Sequence, residues 1–173
     1  LNGLEGLVGI PGSVGGAVAM NAGSFGTETC KNIESIQIVS NEAVQRVTVD
    51  ALQYGYRRLS ISEEKEGFMV VEATFGLTED ARDGISKRMR HNFFEKKSKQ
   101  PVTAWSAGCV FKNPAQDMPA GKLLELTGYK GKKLGGMAFS TLHANFLINE
   151  GRGSAEAALT LLHEAKEAVR QRF

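Results

Sequence analysis

An α+β fold is predicted by three features of the sequence. Between Ile33 and Val49, β-branched and polar residues mix in two short runs separated by Ser40-Asn41-Glu42, which reads as a hairpin. From Glu79 to about Ser98, apolar Ile85, Met89 and Phe93 recur at helical spacing among charges, and Pro101 forbids continuation. Beyond Lys99 the character changes to short elements and a final helix, so a domain boundary is expected there, with parts 1–98 and 99–173.

The elements follow in order. Eight of the twenty glycines stand at positions 3, 6, 9, 12, 15, 16, 23 and 26, so the N-terminal segment is expected to be loop-like. The hairpin comes next. Phe68 to Leu77, rich in Val, Phe and Thr, follows the charged turn Glu63-Glu64-Lys65-Glu66-Gly67 and reads as a third strand with Val70 and Phe75 toward the core. Ala120 to Leu126 predicts a short helix closed by Gly128, and Asn145 to Asn149 a buried strand. Ser154 is placed to cap a last helix whose apolar stripe is Ala158, Leu162, Ala165 and Val169.

Composition bounds the function. With 173 residues, 42% hydrophobic and 23% charged, the chain is long and apolar enough to bury a core, which excludes a disordered tail. No apolar run of about 18 residues occurs, and no secretory leader pattern opens the chain. A membrane partner is not expected. Cys30 and Cys109 are too few for a disulfide scaffold and lack metal-ligand spacing, which suits a reducing, cytoplasmic compartment and no metal; a single bridge between them stays open. A net charge of +2 is far from that of a dedicated nucleic-acid binder. The basic run from Arg82 to Lys112 reads mostly as the solvated face of a helix, so no nucleic-acid partner is expected either.

Three segments hold groups suited to chemistry. Gly9-Ile10-Pro11-Gly12-Ser13-Val14-Gly15-Gly16 lets backbone amides approach a ligand closely, and a phosphate or a flat ring could dock there. It matches neither the dinucleotide fingerprint nor a phosphate loop, whose Lys position is taken by Ala17, and a plain tight turn against a helix stays open. Tyr54-Gly55-Tyr56-Arg57-Arg58 offers phenols and guanidinium groups for an acidic ligand, or a turn with solvated charges. Ser106-Ala107-Gly108-Cys109-Val110-Phe111-Lys112-Asn113-Pro114 places a thiol, a cation and an amide together, although an isolated Cys is more often an inert core residue. Lys99, where the helix is expected to have stopped, is a candidate phosphate contact in a cleft between domains.

Taken together, Gly9 to Gly23, Tyr56-Arg57-x-x-Ser60 and Ser106 to Pro114 resemble the UDP-N-acetylenolpyruvoylglucosamine reductase family. The likeness continues in order through Ala120-Gly-Lys-Leu-Leu-Glu125, Tyr129-Lys-Gly131, Gly135-Gly136 and Ser140-x-x-His143-Ala-Asn-Phe-x-Ile-Asn149. The form lacking an extra tyrosine-bearing loop is the more similar one. The resemblance implies the C-terminal half of a vanillyl-alcohol-oxidase-like FAD-binding domain over 1–98 and a smaller α+β substrate-binding domain over 99–173. It implies a cytoplasmic flavoenzyme of peptidoglycan synthesis, with cofactors FAD and NADPH. Its substrate is a small-molecule UDP-sugar whose enolpyruvyl ether is reduced to a lactyl ether, and no obligate protein partner is implied.

By the same resemblance, Arg57 holds the substrate carboxylate and supports the enolate, and Cys109 takes the place of a usual serine proton donor. A thiol with an ordinary pKa of about 8.5 is mostly protonated at neutral pH and is more acidic than an alcohol, so donation is expected to survive the exchange. Gly9, Ile10, Pro11, Gly12, Ser13, Gly15 and Gly16, with Asn21, Ala22 and Gly23, are implied to border the flavin. Tyr56, Lys99, Asn113 and His143 are implied to contact the substrate. The family's third catalytic residue, a glutamate, and its N-terminal flavin-cradling lobe have no counterpart in these 173 residues, which are expected to retain FAD poorly and turn over little alone. A non-catalytic nucleotide-sugar or phosphoanion-binding module built on Lys99, Lys112 and Asn113 is the alternative.

Overall fold

The computed structural model describes residues 1–40, 43–62, 67–115 and 117–173. Asn41 and Glu42 of the expected hairpin turn, and Glu63, Glu64, Lys65 and Glu66 of the expected charged turn, lie outside the described residues. The chain divides into two compact units, Leu1–Phe94 and Glu95–Phe173.

The first unit begins with a single 3-10 turn, Glu5–Leu7, followed by helix α1, Val14–Ala19. The glycine-rich segment is therefore not all loop. Ser13 caps α1, its hydroxyl oxygen accepting from the Gly16 amide at 3.1 Å. Two glycines in so short a helix are poor for helix propensity, and packing supplies the reason for one of them. A Cβ on Gly15 would stand 2.8 Å from the carbonyl oxygen of Val70, so α1 lies directly on a strand backbone. Gly15→Ala, which stabilises an open helix, is expected here to cost about 1–3 kcal/mol through overpacking, read as a lowered denaturant midpoint. An unchanged or raised midpoint would contradict the close approach.

Strands β1, Gly23–Ser24, and β2, Thr27–Glu28, form a small antiparallel pair. Strands β3, Ile33–Ser40, β4, Ala43–Thr48, and β7, Met69–Phe75, the three that the sequence pattern predicts, make an antiparallel sheet with β3 in the centre. Ile33 pairs with Phe75 and Ser35 with Thr74, so Glu34 is an extra residue on β3. That bulge resets the two-residue alternation, which is why Ile33 and Ile36, three apart, are both buried. Strands β5, Leu52–Gly55, and β6, Arg58–Ile61, form a separate hairpin. The core is Val18, Cys30, Ile33, Ile36, Ile38, Val47, Leu52 and Ile61, with Val70 and Phe75 packed against it.

Helix α2, Arg82–Lys99, carries the division between the units inside it, upstream of the Lys99 boundary expected from the sequence. A continuous helix offers no composition shift to mark such a division. The expected apolar stripe is not a buried face: Met89 and Phe93 are exposed, along with Phe94. Arg88 instead fastens this helix to the first turn of its unit, its Nη2 lying 2.7 Å from Glu5 Oε1.

The second unit contains β8, Ser106–Cys109, α3, Ala120–Leu126, β9, Lys133–Leu134, β10, Met137–Phe139, β11, Phe146–Asn149, and α4, Ala155–Arg172. The sheet is antiparallel in the order β8-β11-β10-β9. Ser154 caps α4 through the Ala157 amide at 3.1 Å. The fully buried face of α4 is Ala157, Leu161 and Ala165, with Ala158, Leu162 and Val169 flanking it. The stripe is thus wider than expected and centred one residue earlier, because an α-helix buries a band rather than a line. Leu124, Tyr129, Phe139 and Leu147 complete this core. No helix among the described residues is long and apolar enough to cross a membrane.

Candidate active site

In the first unit, the segment leading into α1 and the end of that helix border a cleft of about 390 Å³. Ile10, Pro11, Gly12, Ser13, Gly16 and Ala22 line it. Its rim is apolar, since Ile10, Val14 and Met20 are exposed. A Cβ built on Gly12, whose φ is +136°, would meet nothing within 4 Å, so bare backbone faces open space there. The other residues that the resemblance places at a flavin have framework duties. Gly9 makes a turn at φ +74°, and Gly15 packs on Val70. Gly23 pairs with Glu28 across β1 and β2. Asn21 is buried, its side chain spent on protein partners.

Tyr56 and Arg57 form the two-residue turn between β5 and β6. Arg57 has φ +54°, uncommon for a residue with a Cβ, and its guanidinium is anchored rather than solvated. Nη1 donates to the Asn21 carbonyl at 3.2 Å and Nη2 to the Gly23 carbonyl at 2.9 Å. Ala22, which lines the cleft, lies between those two residues. The Arg57 Cζ also sits 5.1 Å from the centre of the exposed Tyr56 ring. Glu28, close enough to Arg57 to interact electrostatically, is held below the usual carboxylate range by the Lys31 ammonium and then by the Asn21 amide.

In the second unit, Cys109 ends the edge strand β8 opposite Phe146. The register slips by one residue between this pair and Ile148↔Ser106. Gly108, at φ +84°, is suited to take up the extra residue, and the thiol next to it is exposed. Cys30 is the contrary case. Buried under α1, its thiol is pushed up to about 11 by desolvation, so it is a core residue and not a proton donor. Both cysteines are thiols, which settles the bridge left open by the sequence.

The chain after Cys109 is clasped by Asn145, which the sequence reading included in a motif but gave no role. Its Oδ1 accepts from the Phe111 amide at 3.0 Å and its Nδ2 donates to the Phe111 carbonyl at 2.9 Å. Asn113 Oδ1 accepts from the Ala120 amide at 3.0 Å, standing in for the cap that Pro119 cannot give α3. Glu28 and Asn145, without a role in the sequence reading, hydrogen-bond to Asn21 and to the Phe111 backbone respectively.

Lys99 and His143 each have a partner within the protein. Lys99 is the last residue of α2, and its Nζ pairs with Glu95 Oε2 at 2.6 Å one turn back. Pro101 restricts Gln100, not Lys99, so the helix runs one residue further than expected. The pair is exposed and costs little to exchange for another anion. His143 is half-buried, its Nδ1 accepting from the Asn145 amide at 3.2 Å and its ring edge-on to Phe146 at 4.9 Å. Desolvation lowers its pKa from 6.5, so it is a neutral strut at pH 7. The unfolded state binds the extra proton, so the strut's contribution is complete above about pH 6.5 and is lost as pH falls through the lower folded value. Denaturant midpoints are expected to fall between about pH 7.5 and about pH 5.5, and less so in His143→Asn. Equal falls in both proteins would refute this.

Residues 100–173 match the family model for the C-terminal domain of UDP-N-acetylenolpyruvoylglucosamine reductase. The chain is 47% identical over 173 residues to the protein of that name from Nitratidesulfovibrio vulgaris, covering 99% of this chain and 58% of that protein.

The chain belongs to the UDP-N-acetylenolpyruvoylglucosamine reductase family.

A reductase of the same name from Fervidobacterium nodosum is 37% identical, with 100% of this chain and 56% of that protein covered. The crystal structure of the reductase from Thermus caldophilus superposes with a TM-score of 0.85 at 34% identity, over 96% of this chain and 60% of that one. The chain thus spans somewhat more than half the length of its reductase relatives.

Proposed function

We propose that the protein carrying this chain reduces UDP-N-acetylenolpyruvoylglucosamine to UDP-N-acetylmuramate in the cytoplasm, using FAD and NADPH, for peptidoglycan synthesis. The carrying observation is an anchored guanidinium, Arg57, whose carbonyl anchors flank a cleft-lining residue of a bare, apolar-rimmed groove. Such a groove fits a flavin, since a flat ring system needs close backbone approach and apolar walls, and about 390 Å³ holds part of so large a cofactor. Ile10, Pro11, Gly12, Ser13, Gly16 and Ala22 would hold it. FAD, when bound, supplies the hydride, and NADPH restores it.

The chain's own residues handle charge and protons. The Arg57 guanidinium pairs with the substrate carboxylate and stabilises the negative charge that builds beside it. The Cys109 Sγ holds a proton and gives it to the carbon next to that carboxylate, leaving a thiolate that solvent reprotonates. Lys99 exchanges Glu95 for a substrate phosphate, while Tyr56 and Asn113 meet the nucleotide-sugar. His143 keeps the Asn145 loop in place for them.

The test uses the whole protein that carries this chain, purified and loaded with FAD. NADPH is expected to bleach the flavin absorbance, and the enolpyruvyl UDP-sugar to restore it with release of the lactyl product. UDP-sugar binding that is indifferent to FAD, with no bleaching, would instead support the non-catalytic binding module.

A further inference from the structure

Arg57 is held from two sides by one residue. The main-chain carbonyl of Asn21 accepts from Arg57 Nη1 at 3.2 Å. The side-chain amide of the same residue donates to the carbonyl of Gly55 at 3.1 Å, at the base of the turn that carries Arg57. Asn21 is itself immobilised. It is 1% exposed, its Oδ1 accepts from the Cys30 amide at 3.0 Å, and its Nδ2 also donates to Glu28 Oε2 at 2.9 Å. Its φ of +39° lies in the left-handed region that Asn tolerates better than most residues.

Glu28 closes the frame. It pairs across β1 and β2 with Gly23, whose carbonyl takes Arg57 Nη2 at 2.9 Å. Its second carboxylate oxygen is held by Lys31 Nζ at 2.8 Å. Guanidinium, three carbonyls, amide and carboxylate therefore form one connected set within the first unit.

We propose that Asn21, braced by Glu28, is the positioning residue that aims the Arg57 guanidinium at the substrate carboxylate, rather than a flavin contact. This rests on the role of Arg57 given under the proposed function. The chemistry asks for such a frame. A flexible arginine would spend binding energy on ordering itself, whereas a pre-aimed one stabilises charge without reorganisation.

Asn21→Asp keeps the size, the left-handed backbone and the acceptor for Cys30, but sets a carboxylate against Glu28 and the Gly55 carbonyl. In the FAD-loaded protein, flavin reoxidation by the enolpyruvyl substrate is expected to fall about 10²-fold in this variant, while reduction by NADPH is unaffected. Glu28→Ala is expected to slow the same half-reaction, and Glu28→Gln, which restores an acceptor for Asn21, to recover most of that loss. In ¹⁵N-labelled protein without cofactor, rotation of the Arg57 guanidinium about Cζ–Nη is expected to be slow in the parent and fast in Asn21→Asp. If Asn21→Asp does not fold, Glu28→Ala and the NMR measurement decide. Unchanged reoxidation in both Asn21→Asp and Glu28→Ala, or a parallel fall of both half-reactions with loss of bound flavin, would overturn the proposal. A normal Arg57→Ala enzyme would instead overturn the role of Arg57 itself.

Discussion

Cys109→Ala is expected to slow flavin reoxidation by the enolpyruvyl substrate by about 10²- to 10⁴-fold, the usual worth of a positioned proton donor, and Cys109→Ser to restore most of it. Reduction by NADPH involves no proton from this group and is expected to proceed normally in both variants. The substitution tests chemistry and not folding, because Cys109 is exposed at the end of an edge strand. Truncating it opens no core cavity. The strand end is kept in place by the Asn145 clasp on Phe111, which neither variant touches. Single-turnover reoxidation, followed by flavin absorbance, is the measurement. An alanine variant that reoxidises at the parent rate would remove Cys109 from the mechanism.

The thiol also makes an oxidisable proton donor, a liability that serine lacks. Cys30, the other thiol, is buried with its ionisation pushed up to about 11, so oxidation is directed to the exposed site.

The β3–β4 hairpin, β7, α3 and the cap of α4 were legible in the sequence because their signals are local: period-two alternation, a glycine stop, a serine at the helix start. The framing roles of Asn21 and Asn145 were not. A buried amide that clasps backbone reads in sequence like an amide that faces a ligand. Here the Asn21–Gly55 and Asn145–Phe111 bonds each join residues 34 positions apart. The α2 stripe misleads for a related reason. Helical spacing locates a helix, but the neighbours decide which face is covered and which charge finds a partner.

Arg57→Gly is expected to separate stability from function at the turn between β5 and β6. The native φ of +54° costs an ordinary L-residue about 1–2 kcal/mol, and glycine relieves it. Against this gain stands the loss of the guanidinium bonds to Asn21 and Gly23, worth about 1.5–3 kcal/mol each when the donor is charged but less where solvent reaches the group. The two effects oppose each other, so the unfolding midpoint is expected to fall by less than the lost bonds alone would cost. Reoxidation by the enolpyruvyl substrate is expected to fall about 10²- to 10³-fold, since the charge that offsets the developing enolate is gone. Arg57→Lys keeps a charge but not the fork that spans two carbonyls while facing a carboxylate, so it recovers only part of the rate. An unfolding midpoint that drops by the full worth of those bonds in Arg57→Gly would mean that the residue is there for the fold. A smaller drop with lost reoxidation means that strained backbone at this turn is retained to present the guanidinium.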